Sequence, residues 1–291
     1  MARNLRIIPR LDVKGPNLVK GIHLEGLRVL GEPKIFARRY AAEGADELLF
    51  MDAVASLYGR NSLLDVIAAT AQNVFIPITV GGGIRSLEDI AAALKAGADK
   101  VAINSAAVAD PGFIRKAAER YGSSTIVVHI DAKRNRTGSW TAWTDNGREP
   151  SHHDAVEWAV QAASLGCGEI LVTSIDQEGT AKGFDTALTK AVSARTAVPV
   201  IACGGASSPD DVARLGHDVD IGAVSIASIL HYGIAAELER EGYGFSGAGE
   251  FRVVAEKRDF GRVVPTTLAA VKQAVLAAGL DCRPIAGEEA A

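Results

Sequence analysis

The sequence is poor in cysteine and almost balanced in charge, and each of these features excludes a class of protein. Three cysteines in 291 residues are too few and too scattered for a disulfide framework or a zinc site. A formal net charge of −4 gives no basis for binding nucleic acid or a membrane surface. No apolar run is long enough to span a bilayer, and no apolar leader precedes the first predicted strand. We therefore expect a soluble, cytoplasmic protein with reduced thiols.

What the sequence does contain is a regular alternation of short β-rich runs and amphipathic helical patterns. Eight strands are predicted, at 5–12, 47–53, 76–81, 100–104, 125–131, 169–175, 198–203 and 221–227. Helices are predicted at 33–43, 61–72, 86–96, 110–120, 154–165, 183–195, 208–215 and 266–279. This order predicts an α/β fold of the (β/α)₈ TIM-barrel type, with a doubly wound open sheet as the alternative.

An internal repeat favours the barrel. Gly82-Gly83 recurs as Gly204-Gly205, and Asp46-Glu47 recurs at the same offset as Gly168-Glu169. Two four-stranded half-barrels related by a two-fold repeat explain this better than two separate domains do. We expect residues 1–291 to form a single barrel, in which 237–264 is an insertion within the eighth unit. A surface excursion, a lid and a partner contact are all compatible with that segment.

Two aspartates end strands in equivalent positions of the two halves. Asp12 closes the first strand, and Asp131 closes the fifth. Barrel active sites lie at the C-terminal ends of the strands, and paired carboxylates across a shared site suit general acid/base catalysis. Either aspartate alone could equally cap a loop. Their symmetric placement favours a catalytic pair.

Two glycine pairs suggest phosphate binding near the same mouth. Gly82-Gly83 and Gly204-Gly205 each follow an apolar strand and precede a helical pattern, so backbone N–H groups there can bind a phosphate. Neighbouring donors are available in Asn104, Ser105, Ser228 and Lys20. Tight turns and a solvated loop lysine are the alternatives. The repetition suggests a substrate with a phosphate at each end.

Charged residues also begin four of the strands: Arg6, Glu47, Lys100 and Glu169. Such a ring at the opposite end of the barrel is either a self-neutralising layer of salt bridges or a gate into the lumen.

Together these segments resemble the HisF family, the cyclase subunits of imidazole glycerol phosphate synthase. The resemblance covers residues 5 to about 236 and 266 to 283. Its most specific segments are Leu11-Asp-Val-Lys14, Thr79-Val-Gly-Gly-Gly-Ile-Arg-Ser86, Ile130-Asp-Ala-Lys-Arg134 and Gly168-Glu-Ile170. It implies an enzyme of histidine biosynthesis that needs no metal or organic cofactor.

The resemblance also implies a partner and a set of site residues. A HisH-type glutaminase subunit would dock on the N-terminal face of the barrel and release ammonia into the lumen. The cyclase would combine it with a bis-phosphorylated formimino-carboxamide ribonucleotide, giving imidazole glycerol phosphate and aminoimidazole carboxamide ribotide. Asp12 and Asp131 would be the acid/base pair, and the four strand-start charges would be the ammonia gate. The substrate would be held by Lys20, Gly82, Asn104, Asp176, Gly179, Gly205 and Ser228.

Two residues depart from the family where the substrate should bind. Arg10 replaces a usual cysteine, and strand alternation places it in the lumen beside Asp12. Such a pairing would favour the ionised form of Asp12; Arg10 could instead bind a substrate anion or narrow the ammonia path. His129 replaces a small residue beside Asp131, as either a core histidine or a second acid/base group. Two alternatives therefore stay open: a HisF-like ammonia-channelling paralogue that amidates or amidinates a surface sugar, and a non-catalytic scaffold for a glutaminase.

Overall fold

The computed structural model describes residues 4–55, 63–243 and 263–284, and eight parallel strands in it close into a barrel. Each strand pairs with the next along the chain, and the last pairs with the first. The strands are Arg6–Lys14 (β1), Leu48–Asp52 (β4), Ile78–Gly81 (β5), Lys100–Ile103 (β6), Ile126–Arg134 (β7), Glu169–Ser174 (β10), Val200–Cys203 (β11) and Ala223–Ile226 (β12). All eight strands lie where the sequence predicted them, and the closed sheet confirms the barrel over the open sheet.

Two antiparallel hairpins follow equivalent strands of the two halves. Asn17–Ile22 (β2) and Glu25–Gly31 (β3) follow β1, whereas Trp140–Thr144 (β8) and Glu149–Asp154 (β9) follow β7. β2 pairs with the outer half of β1, and β8 pairs with the outer half of β7. The two aspartate-bearing strands therefore continue past the barrel. This extension agrees with the two-fold repeat, although the hairpins themselves were not predicted.

Helices surround the barrel. They are Pro33–Ala42 (α1), Leu63–Ala71 (α2), Leu87–Lys95 (α3), Ser105–Ala109 (α4), Gly112–Tyr121 (α5), Ala155–Ser164 (α6), Thr186–Ser193 (α7), Pro209–Asp218 (α8), Ser228–Arg240 (α9) and Leu268–Ala277 (α10). Capping fixes several starts: Ser86 and Asp89 form a capping box at α3, and α1 and α8 begin with proline. The short α4 and the longer α9 were missed. The first residues of the proposed insertion, 237–240, belong to the end of α9. Its residues 244–262 lie outside the described residues.

The strands bury apolar side chains on both faces. On β1, Ile7 and Leu11 pack against the helices, whereas Ile8 points into the lumen. The apolar lumen layer consists of Ile8, Leu49, Met51, Ala102, Val127, Leu171, Ile201, Cys203 and Ala223. By strand alternation, Arg6, Arg10 and Asp12 share this inward face. None of the helices in the described ranges has the length and apolarity needed to cross a membrane.

Candidate active site

Both predicted aspartates lie at one end of the barrel, on strands four positions apart around it. Asp12 pairs in register with Met51 of β4 and Val19 of β2. Asp131 pairs with Thr173 of β10 and Trp143 of β8. Both side chains are buried, at the level where the barrel opens into its two hairpins. The structure thus brings the two carboxylates to a single mouth.

Asp12 is held by two cations. Its Oδ1 accepts a hydrogen bond from Arg10 Nε at 2.8 Å, and its Oδ2 lies 3.3 Å from Lys20 Nζ. Burial by itself raises the pKa of the Asp12 carboxyl, but the nearby charges of Arg10 and Lys20 outweigh this, so the pKa is lowered overall. Asp12 is therefore ionised at neutral pH. The sequence predicted both its pairing with Arg10 and this effect of the pairing.

Lys20 is a buried residue of β2 and not a solvated loop lysine. It is 4% exposed and forms an ion pair with Glu178 in addition to its contact with Asp12. Burial lowers the pKa of Lys20, but Glu178 and Asp12 raise it further than burial lowers it, so the ammonium is retained. Glu178 was not predicted as a site residue. It lies between the predicted site residues Asp176 and Gly179, in the loop that follows β10.

Asp131 faces a different environment. Its Oδ2 accepts a hydrogen bond from Asn104 Nδ2 at 3.1 Å, and its Oδ1 lies 3.1 Å from His129 Nε2. Asp131 and His129 line an open cavity of about 110 Å³. The other polar or glycine residues of that wall are Asp52, Gly82, Gly83, Arg85, Asn104, Ser105, Asp145 and Asn146. Asp52 and Arg85 were missed, although Asp52 also ends a strand.

The glycine pairs are required by close packing as well as by any ligand. Gly82 and Gly205 have φ values of 87° and 102°. A Cβ on Gly82 would lie 2.5 Å from the carbonyl oxygen of Asp52, and one on Gly205 would lie 2.1 Å from that of Gly183. Side chains are thus excluded at both turns for backbone reasons.

The two halves of the mouth differ in size. The Gly204-Gly205 half encloses about 20 Å³, lined in part by Gly179, Ser228 and Glu178. This volume suits roughly one water molecule. A Cβ on Gly204 would lie 3.3 Å from Glu178 Oε2, so this carboxylate occupies the space beside the turn. The half near Asp131 is open, whereas Glu178 takes up part of the space in the half near Lys20.

Asp176 lies apart from both cavities. Its Oδ2 accepts a hydrogen bond from the backbone N–H of Arg134 at 2.8 Å, which joins the sixth loop to the end of β7. It lines a separate open groove with Gln177 and Asp185.

A buried histidine is hydrogen-bonded to the backbone of Arg10. His231 Nε2 donates to the carbonyl oxygen of Arg10 at 2.8 Å, and Tyr40 Oη donates to His231 Nδ1 at 2.6 Å. Burial lowers the pKa of His231 to about 3, so the ring is neutral and fixed in one tautomer.

At the opposite end of the barrel, the four strand-start charges form a closed ring. Lys100 Nζ lies 2.9 Å from both Glu47 Oε2 and Glu169 Oε2. Arg6 Nη1 lies 3.1 Å from Glu47 Oε2, and Arg6 also pairs with Glu169. Each charge thus meets two opposite charges. Among the described residues, no three histidine, cysteine, aspartate or glutamate side chains are placed to hold a metal ion.

The closed barrel, its half-barrel repeat and the two mouth carboxylates define the class: a (β/α)₈-barrel protein with a carboxylate from each half at its mouth. Residues 6–236 match a family model described as "Histidine biosynthesis protein". The chain is 59% identical over 202 residues to imidazole glycerol phosphate synthase subunit HisF of Legionella pneumophila, covering 69% of this chain and 95% of that protein. It is 49% identical over 229 residues to subunit HisF of Myxococcus xanthus (strain DK1622), covering 79% and 90%.

The chain belongs to the HisF family. These proteins are the cyclase subunits of imidazole glycerol phosphate synthase, lyase-class enzymes of histidine biosynthesis, and this is the function of the chain. The resemblance found in the sequence motifs is thereby confirmed.

Proposed function

We propose that Asp12 and Asp131 are the acid/base pair with which this chain cyclises a bis-phosphorylated formimino-carboxamide ribonucleotide. Ammonia supplies the new nitrogen, and the products are imidazole glycerol phosphate and aminoimidazole carboxamide ribotide. The supporting observation is the meeting of two buried carboxylates from opposite strands at one mouth. Proton transfers at both ends of a substrate need groups on both sides of it.

The substrate spans the mouth with a phosphate in each half. One phosphate binds at Gly82-Gly83 with Asn104 and Ser105, where the cavity is open. The other binds at Gly204-Gly205, whose small cavity is also lined by Gly179 and Ser228.

In that second half, Lys20 releases Glu178 and binds the incoming phosphate, while it keeps its contact with Asp12. Asp176 contributes by joining the fifth and sixth loops at the rim of the mouth.

Ammonia enters from the opposite end. A glutaminase subunit docks on the N-terminal face of the barrel, and the ring of Arg6, Glu47, Lys100 and Glu169 is the gate that ammonia passes. The lumen contains an apolar layer between ring and mouth, which suits neutral ammonia better than the ammonium ion. Phe75, in the segment leading into β5 at this end, is 90% exposed and offers an apolar contact for the partner.

The test supplies the ribonucleotide with ammonium salt at high pH, without the partner, and follows its loss. We expect turnover in the intact protein and a loss of about 100-fold or more in Asp12→Asn and in Asp131→Asn. Asp110→Asn is the matched control, because that carboxylate is exposed on the surface. No turnover in the intact protein would refute the proposal. If the protein also bound the glutaminase, that result would favour the ammonia-channelling alternative or the scaffold.

A further inference from the structure

A continuous line of polar contacts joins the two aspartates through the barrel lumen. Arg10 Nε donates to Asp12, and Arg10 Nη1 donates to Thr173 Oγ1 at 3.1 Å. Thr173 Oγ1 lies 3.0 Å from His129 Nε2, which lies 3.1 Å from Asp131 Oδ1. None of these five residues is more than 5% exposed. We call Arg10, Thr173 and His129 the lumen bridge.

The two ends of the lumen bridge differ in charge and in access. Asp12 contacts two permanent cations and is not part of the wall of the open cavity. Asp131 contacts a neutral amide and an imidazole, and both Asp131 and His129 belong to that wall. A carboxylate held between two cations stays ionised, so it can accept a proton but is a poor acid, whereas a neutral imidazole has one nitrogen that donates a proton and one that accepts it.

We propose that His129 is a further catalytic residue, which moves the proton in the open half of the mouth, and that Thr173 positions it. This inference rests on the proposed cyclase reaction. Nε2 carries the hydrogen, which it donates to Thr173 Oγ1, and Nδ1 is the nitrogen that meets the substrate. Asp131 Oδ1 lies 3.1 Å from the same Nε2 and has no hydrogen-bond partner among the described residues. At the formimino carbon of the substrate, the ammonia nitrogen forms a bond and gives one proton to Nδ1. The bond from that carbon to the nitrogen of the carboxamide ribotide breaks, and His129 returns the proton to that nitrogen. The new nitrogen then closes the imidazole ring by condensing with the carbonyl carbon of the substrate, whose oxygen leaves as water.

Arg10 has a complementary part. By holding Asp12 ionised, it makes that carboxylate a fixed negative charge and proton acceptor in the other half. By donating to Thr173, it directs the Thr173 hydroxyl oxygen toward His129. The two aspartates, equivalent in the repeat, are thereby made different by the residues beside them.

The kinetic test uses the ammonium assay with three variants. His129→Ala should lower kcat about 100-fold with KM changed less than about threefold, and added imidazole should restore a substantial part of kcat. Thr173→Val keeps the side-chain shape but removes the hydroxyl, and should lower kcat about tenfold. His217→Gln is the matched control, since that histidine is exposed at the end of α8. A purely structural His129 would give a variant that imidazole does not rescue.

A second measurement decides the question independently of turnover. The ¹⁵N spectrum of histidine-labelled intact protein should show His129 with hydrogen on Nε2 and with Nδ1 unprotonated. The Nδ1–H tautomer would overturn the proposal, as would a His129→Ala variant that keeps the kcat of the intact protein. Absence of turnover in the intact protein would count instead against the proposed function, and the spectrum would then decide whether His129 is arranged as inferred.

Discussion

The pairing of Arg10 with Asp12 gives a prediction about stability that can be worked from the structure. Arg10 is fully buried and donates to Asp12 Oδ1, and its Nη2 has no hydrogen-bond partner among the described residues. Breaking a buried ion pair by removing one partner costs about 3–5 kcal/mol, because the other charge is left in an apolar environment. For Arg10→Met the lower end of that range is expected, since Lys20 still neutralises Asp12 at 3.3 Å.

The double variant Arg10→Met/Asp12→Asn should recover part of this loss. Replacing both charges removes the uncompensated group, so we expect a coupling free energy of about 2 kcal/mol between the two positions. Urea unfolding of the intact protein, both single variants and the double variant at neutral pH measures it. The same cycle on the exposed Lys116–Asp110 pair is the control and should show little coupling. A coupling below about 0.5 kcal/mol for the buried pair would refute the argument that Arg10 holds Asp12 ionised.

Three further predictions follow from other contacts. Glu178→Gln should lower the KM for the bis-phosphorylated ribonucleotide about tenfold, because a carboxylate beside Gly204 no longer competes for Lys20; an unchanged KM would contradict this. Phe75→Ala should weaken glutaminase binding about tenfold and leave ammonium-driven turnover unchanged, whereas Ile22→Ala, exposed at the mouth, should leave binding intact. Burial lowers the pKa of His231 to about 3. Below about pH 6.5, His231 therefore binds a proton in the unfolded chain but not in the folded protein. The free energy of unfolding should therefore decrease as the pH falls from about 6.5 to about 3. In His231→Gln, the pH dependence of this free energy should be smaller by the amount that corresponds to about one bound proton.

The sequence predicted the barrel because eight β-rich runs alternate with helical patterns, and short-range periodicity is enough to find such elements. It also predicted that Asp12 and Asp131 share a mouth, since parallel strands of a barrel end at one rim. The β2–β3 and β8–β9 hairpins were missed, because they depend on β1 and β7 extending past the barrel. The sequence did not predict α9, in which Ile229, Leu230 and Ile234 are buried, because a glycine-rich segment follows it closely along the chain.

Side-chain partners were the harder part of the site. Lys20 was predicted to reach the mouth, but its pairing with Glu178 joins residues 158 positions apart, and no local pattern indicates such a contact. The pairing of Arg10 with Asp12 was predicted, because the two residues are neighbours on one strand face. The contact of Arg10 with Thr173 was not, because it crosses the lumen from β1 to β10. Contacts between neighbours on one strand could therefore be predicted from the sequence. Contacts across the barrel could not, because they depend on how the barrel closes.

The most direct test of the central claim is the ammonium-driven turnover of the bis-phosphorylated ribonucleotide by the chain alone. We expect the intact protein to convert it to imidazole glycerol phosphate, and Asp12→Asn and Asp131→Asn each to lower the rate about 100-fold or more while the fold is retained. Full activity in either aspartate variant, or none in the intact protein, would contradict that claim.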